Sequence, residues 1–64
     1  DPRELAADHI AALAQMMADL KAMAEEINGG GEAYPAGIRS VARDVAQGCE
    51  SHAMTLQSII GRLS

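Results

Sequence analysis

Apolar residues recur at alternating intervals of three and four positions through almost the whole of this 64-residue chain. Such spacing places side chains on one side of an α-helix, and it predicts two long amphipathic helices. The first row comprises Ala6, Ile10, Leu13, Met17, Leu20, Ala24 and Ile27, and the second comprises Ile38, Ala42, Val45, Cys49, His52, Leu56, Ile59 and Leu63. The chain is therefore expected to be all-α.

Signals for a helix start stand at the first four residues of the chain. The Asp1 side chain can cap free backbone amides, Pro2 suits the first helical position, and Glu4 can complete a capping box. We expect two helices of about 26 residues each, which corresponds to a length of about 39 Å. The predicted bounds are about 2–28 for helix 1, 29–34 for a Gly-rich turn and about 35–63 for helix 2.

The turn is predicted from the run GGGEAY at residues 29–34. Three consecutive glycines favour chain reversal, and either Asn28 or Gly29 can adopt the left-handed conformation that often ends a helix. Pro35 suits the first turn of the second helix. A phosphate-binding loop is excluded here, because such a loop follows a strand and this one follows a helix. The two helices are thus expected to form an antiparallel hairpin.

A hairpin this small is expected to pair with a second copy of itself. Its apolar stripes are wider than one helix–helix contact covers, and a chain with a single cysteine has no internal disulfide to compensate. The prediction is a homodimeric four-helix bundle with two-fold symmetry. The residues expected in its core or dimer interface are Ile10, Leu13, Met16, Met17, Leu20, Met23, Val45, Cys49, His52, Leu56, Ile59 and Ile60.

The charge distribution argues against general nucleic-acid or anionic-membrane binding. The net charge is −4, with residues 1–28 contributing −4, Glu32 contributing −1 and residues 36–64 contributing +1. No stretch reaches the roughly 20 apolar residues that a membrane span needs, so no membrane association is expected.

A lone thiol fits a reducing compartment and predicts a cytoplasmic location. The chain begins at Asp1 rather than Met, which suggests a trimmed chain or a fragment, and a removed leader stays open.

Cys49 and His52 are the residues that most resemble a chemical site, because three positions along a helix place both side chains on one side. We interpret the pair as packing: Gly48 and Cys49 form a small-residue notch that would face Met16 and Met17. The alternative is a metal or redox switch, in which two copies would supply a Cys2His2 zinc site. No Asp or Asn is placed to orient His52 for catalysis, so the chain is predicted to be neither an enzyme nor a cofactor carrier.

The function that these patterns favour is a small dimerisation or protein-interaction module, acting as an adaptor or regulator. Its expected partner is a second copy, with another protein as the further candidate. The alternative is an RNA-binding hairpin dimer that would use Arg39 and Arg43. In topology alone, the predicted hairpin resembles the small dimeric RNA-binding regulators encoded by copy-number-control plasmids. Two arginines beside Asp44, with no aromatic residue between them, are a poor RNA-binding surface.

Overall fold

The computed structural model, which describes residues 1–63, is an antiparallel pair of long helices. Helix α1 spans Pro2–Asn28, a short 3-10 helix spans Gly31–Ala33, and helix α2 spans Ala36–Leu63. The two long helices pack against each other, which confirms the predicted all-helical hairpin. The Cα atoms extend over 49 × 19 × 12 Å, so the hairpin is a long, flat rod.

Helix α1 begins with the cap that the sequence predicts. The Asp1 carboxylate accepts a hydrogen bond from the backbone N–H of Arg3 at 3.0 Å, and Pro2 is the first helical residue. The backbone N–H of Glu4 donates to the Asp1 carbonyl at 3.0 Å. These bonds satisfy amides that have no partner within the helix and fix the helix start at Pro2.

The end of α1 differs from the predicted left-handed cap. Gly29 has φ −89° and ψ 1°, a right-handed conformation, and its N–H donates to the Glu25 carbonyl at 2.9 Å. The left-handed residue is Gly31, with φ +69°, which lies two positions further along. Between them, Gly30 lies so close to the Tyr34 ring that a Cβ atom there would overlap it. The three glycines therefore have different roles: Gly29 ends the helix, Gly30 leaves room for the Tyr34 ring, and Gly31 takes the left-handed conformation. The 3-10 turn thus moves the chain reversal away from the helix end.

Helix α2 begins at Ala36, one residue after the proline expected in its first turn. Tyr34 is extended, with φ −115° and ψ 137°, as a residue before proline prefers. The Pro35 carbonyl accepts the first helical hydrogen bond, from the N–H of Arg39 at 3.0 Å. Arg39 also donates from its Nε to the Tyr34 carbonyl at 3.1 Å. Pro35 thus precedes the helix as its cap residue.

The core between the two helices consists of small side chains. Among residues 1–63, the buried apolar residues are Ala24, Ala42, Ala46 and Cys49, at 4 to 8% exposure. The three alanines form one cluster, and Ile27 and Val45 pack against it. Alanine brings helix backbones close together but buries little apolar area. In the described residues no large side chain is fully buried, so the contact within one chain is tight but small.

Candidate interaction surface

An open apolar groove of about 210 Å³ runs along one side of the hairpin near the turn. It is lined from α1 by Leu20, Met23, Ala24 and Ile27, and from α2 by Ile38, Val41, Ala42 and Val45. The alanines form its floor because they lie at the helix contact, and the larger side chains form its walls. No charged residue is among the residues that line the groove, so its surface is apolar.

The groove continues along the rod as a wider surface, because residues seven apart share one side of a helix. Leu13 and Met16 precede Leu20 and Met23 by seven, while His52 and Ile59 continue the row of Ile38 and Val45. We call this surface the apolar face: it comprises Leu13, Met16, Leu20, Met23 and Ile27 of α1 with Ile38, Val41, Val45, His52 and Ile59 of α2. Seven of its nine Leu, Met, Ile and Val side chains are 43 to 68% exposed, and the other two, Ile27 and Val45, are partly buried.

The structure divides the predicted interface residues into two groups. The first group is wholly or partly buried within the single chain and comprises Met17, Val45, Cys49, Leu56 and Ile60. The second group is exposed and comprises Ile10, Leu13, Met16, Leu20, Met23, His52 and Ile59. The hairpin therefore covers only part of the predicted apolar core with its own second helix.

Cys49 and His52 have different surroundings although they are three residues apart. Cys49 is 8% exposed and belongs to the buried residues at the helix contact, whereas His52 is exposed. An exposed imidazole within a single hairpin would become buried only if a second molecule covered the apolar face. Among residues 1–63, no three His, Cys, Asp or Glu side chains are grouped as metal ligands would be. Any zinc site would therefore need ligands from a second copy.

The opposite side of the hairpin is polar. Lys21 Nζ and Glu50 Oε1 lie 3.8 Å apart and link α1 to α2 there, with side chains that are 33% and 60% exposed. At this exposure the ion pair contributes little to stability, because water screens it. Arg43 Nε lies 3.9 Å from Asp44 Oδ1, and Arg39 bonds the Tyr34 carbonyl. Both arginines of the RNA-binding alternative thus have partners within the chain, a carboxylate for Arg43 and a hydrogen-bond acceptor for Arg39.

A second apolar groove lies at the end of the rod away from the turn. It is lined by Ala7, Ile10 and Ala11 of α1 and by Ile60 and Leu63 of α2. Leu63 is 78% exposed and Leu5, nearby in sequence, is 71% exposed. Apolar surface is therefore open at both ends of the hairpin.

Sequence reasoning omitted Ile38 and Val41 from the predicted interface, although both line the groove near the turn. They are 52% and 60% exposed. The signal was present: Ile38 precedes Val45 by seven residues, and Val41 precedes it by four. The floor of the groove could not be read from the sequence, because it depends on how far each helix rotates about its own axis.

Comparisons with known proteins complete the description of this surface. In the described part of the chain, neither helix has an apolar stretch long enough to cross a membrane. No protein-family model matches the chain, and no curated protein or solved structure matches it significantly.

Proposed function

We propose that the chain is a non-enzymatic dimerisation module, in which two hairpins pack their apolar faces together as a four-helix bundle. As an adaptor or regulator, it would act by holding two chains together. The observation that carries this proposal is the continuous apolar face. Apart from Ile27 and Val45, it contains seven large aliphatic side chains, and these are 43 to 68% exposed. Covering the remaining surface of these seven is worth on the order of 5–10 kcal/mol per chain.

The total surface of the hairpin supports this pairing. Its accessible surface is 4988 Å² at a mass of 6.7 kDa. A compact monomer of that mass is expected to expose about 3,900 Å², so this hairpin exposes roughly 1,100 Å² more. A stable interface removes about 800 Å² from each partner. The excess is therefore large enough for one complete protein–protein interface.

The shape of the hairpin favours a second copy as the occupant. The radius of gyration is 14.8 Å, whereas a compact domain of this length has about 10.7 Å. A flat rod with one apolar side is completed by an object of equal length and width whose apolar side faces it. A second hairpin meets this requirement, and closed two-fold dimers are the commonest oligomers. The product would be a compact bundle in which both apolar faces are covered.

A concentration series of thermal melts tests this proposal. If folding and association are one equilibrium, the midpoint rises with protein concentration, because mass action favours the dimer. For a bundle of this size, a hundredfold increase in concentration is expected to raise the midpoint by about 10 °C. Circular dichroism at 222 nm, recorded at several path lengths, measures the shift.

A midpoint that does not change over this range would contradict the proposal. It would mean that each hairpin folds and unfolds alone, without a second copy on its apolar face. Scans at two heating rates provide the control, because an irreversible step also makes the midpoint vary, but with scan rate.

A further inference from the structure

The structure also indicates how the two hairpins are arranged, an inference that rests on the proposed dimer. Two hairpins related by a two-fold axis can pack face to face as a four-helix bundle in two ways. With the axis perpendicular to the helices, α1 packs on the partner's α1, and the two turns lie at opposite ends. With the axis parallel to the helices, α1 packs on the partner's α2, and both turns lie at the same end. The charges beside the apolar face distinguish these arrangements.

The outer edge of the apolar face on α1 is acidic. Asp8, Asp19 and Glu26 are separated by eleven and seven residues, so they share one side of the helix. Asp19 follows Met16 by three residues and precedes Met23 by four, which places this acidic row directly beside the two methionines. All three carboxylates are exposed. Packing α1 on the partner's α1 would bring two such rows together.

No basic side chain of α1 offsets this row. The basic residues of α1 are Lys21 and Arg3. Lys21 pairs with Glu50 on the polar side of the hairpin. Arg3 precedes Lys21 by eighteen residues, which is five helical turns, so it lies on the same side as Lys21. An α1–α1 contact would therefore juxtapose like charges over the length of both helices, which is unfavourable.

The outer edge of the apolar face on α2 has no net charge, and at Gly48 it has no side chain. Its row of Asp44, Gly48, Thr55 and Arg62 is spaced by four, seven and seven residues and carries one negative and one positive charge. A Cβ atom added at Gly48 would have nothing within 4 Å in the single chain. A glycine inside a helix costs about 1 kcal/mol relative to alanine, and no contact within the hairpin requires it. The open space is suited to a long, flexible side chain from a partner, such as that of methionine.

We infer that α1 of each hairpin packs on α2 of its partner, about a two-fold axis parallel to the helices. The second groove shows that residues 7–11 lie level with residues 60–63 within one chain. A parallel axis keeps each residue of the partner at the same height along the bundle. The partner's Arg62 therefore lies level with Asp8, and opposite charges meet. Glu26 lies level with the partner's Asp44, whose charge is offset by Arg43 at 3.9 Å within its own chain. The same levels bring Met23 opposite the partner's Gly48. With the axis perpendicular to the helices, α1 packs on the partner's α1 instead. Asp8 then does not meet the partner's Arg62, and no methionine of α1 meets the partner's Gly48.

Spin labels in the turn test this arrangement. A single cysteine is introduced as Glu32→Cys, on an exposed residue of the turn, in a chain whose native thiol is removed by Cys49→Ala. The proposed arrangement places both turns at one end, where helices pack about 8–10 Å apart, so the labels should lie within about 25 Å of each other. Opposite ends of a 27-residue helix are separated by about 40 Å. Electron paramagnetic resonance measures distances over this whole range.

A label at Gln47→Cys is the matched control, because this exposed residue lies near mid-length and gives similar distances in both arrangements. The mass of each labelled sample is measured in parallel. A dimer with a turn-to-turn distance near 40 Å would overturn the inferred arrangement and leave the proposed dimer intact. A single-chain mass, with no dipolar interaction at either position, would overturn the proposed function itself.

Discussion

Leu20→Glu is expected to leave the chain largely unfolded at micromolar concentration. Leu20 is 49% exposed and lines the groove beside Met23, so a single hairpin would tolerate a glutamate there by turning it to water. In the proposed bundle, the same position is covered by the partner. An unpaired carboxylate there, together with the lost leucine burial, is expected to cost about 3–5 kcal/mol per chain. The helical circular dichroism signal measures the loss.

Ala22→Glu is the matched control for this substitution. Ala22 is exposed and lies two residues from Leu20, which places it well away from the apolar face. The added charge is the same, so any general effect of a more negative chain appears in both variants. Ala22→Glu should retain the helical signal and the melting midpoint to within a few degrees. If both variants remain equally helical, Leu20 is not covered, and the apolar face is not an interface.

Ala24→Leu tests the contact within the chain. Ala24 is the most buried residue at 4% exposure, in a group with Ala42 and Ala46. A leucine there would push against Ala42 and Ala46 of the other helix, which are too small to move aside, so the two helices would have to separate. Overpacking of this kind costs about 1–3 kcal/mol. Denaturant unfolding followed by circular dichroism measures the change in stability.

The control here is Ala22→Leu, which adds the same side chain at an exposed position of the same helix. Leucine and alanine have similar helix propensities, so this variant should change stability by less than about 0.5 kcal/mol. An Ala24→Leu variant as stable as Ala22→Leu would mean that the helices do not approach closely at Ala24. The small-residue core described above would then be wrong.

The helices were predictable from the sequence because their signals are local. The Asp1 cap and Pro2 start α1, and the 4-3 spacing of apolar residues continues through both helices. The hairpin followed from two such helices and a run of glycines. These features depend on residues within one or two turns of each other, which the sequence displays directly.

The turn and the helix rotations were not predictable in the same way. Gly29 and Gly31 are equally able to adopt a left-handed conformation, and the neighbouring residues do not distinguish them. In the structure the left-handed residue is Gly31, next to Gly30, against which the Tyr34 ring lies. A wide apolar stripe also leaves the rotation of each helix undetermined. The 4-3 row gives Leu20 and Ala24 equal weight, but the structure buries Ala24 and leaves Leu20 half exposed. The alanine lies at the contact because a small side chain permits the closer helix approach.

The apolar face exists because alanines, and not the larger side chains, lie at the contact between the two helices. Once alanines take the contact between α1 and α2, the larger residues of the same stripes must lie outside it. The sequence predicted that the apolar surface exceeds what one hairpin can cover, and the structure shows where the excess lies. In the proposed dimer, which helix of the partner covers this excess depends on the edges of the face, and therefore on residues such as Asp19 and Gly48, which lie outside the predicted core.

The molar mass in solution tests the central claim most directly. Light scattering after size-exclusion chromatography should give about 13 kDa, twice the 6.7 kDa of one chain, for the helical species at micromolar concentration. The mass should fall toward that of one chain only on dilution, together with the loss of helical signal, because folding and association are one equilibrium. A fully helical species with the mass of a single chain would contradict the account, because the apolar face would then be stable in water without a second copy.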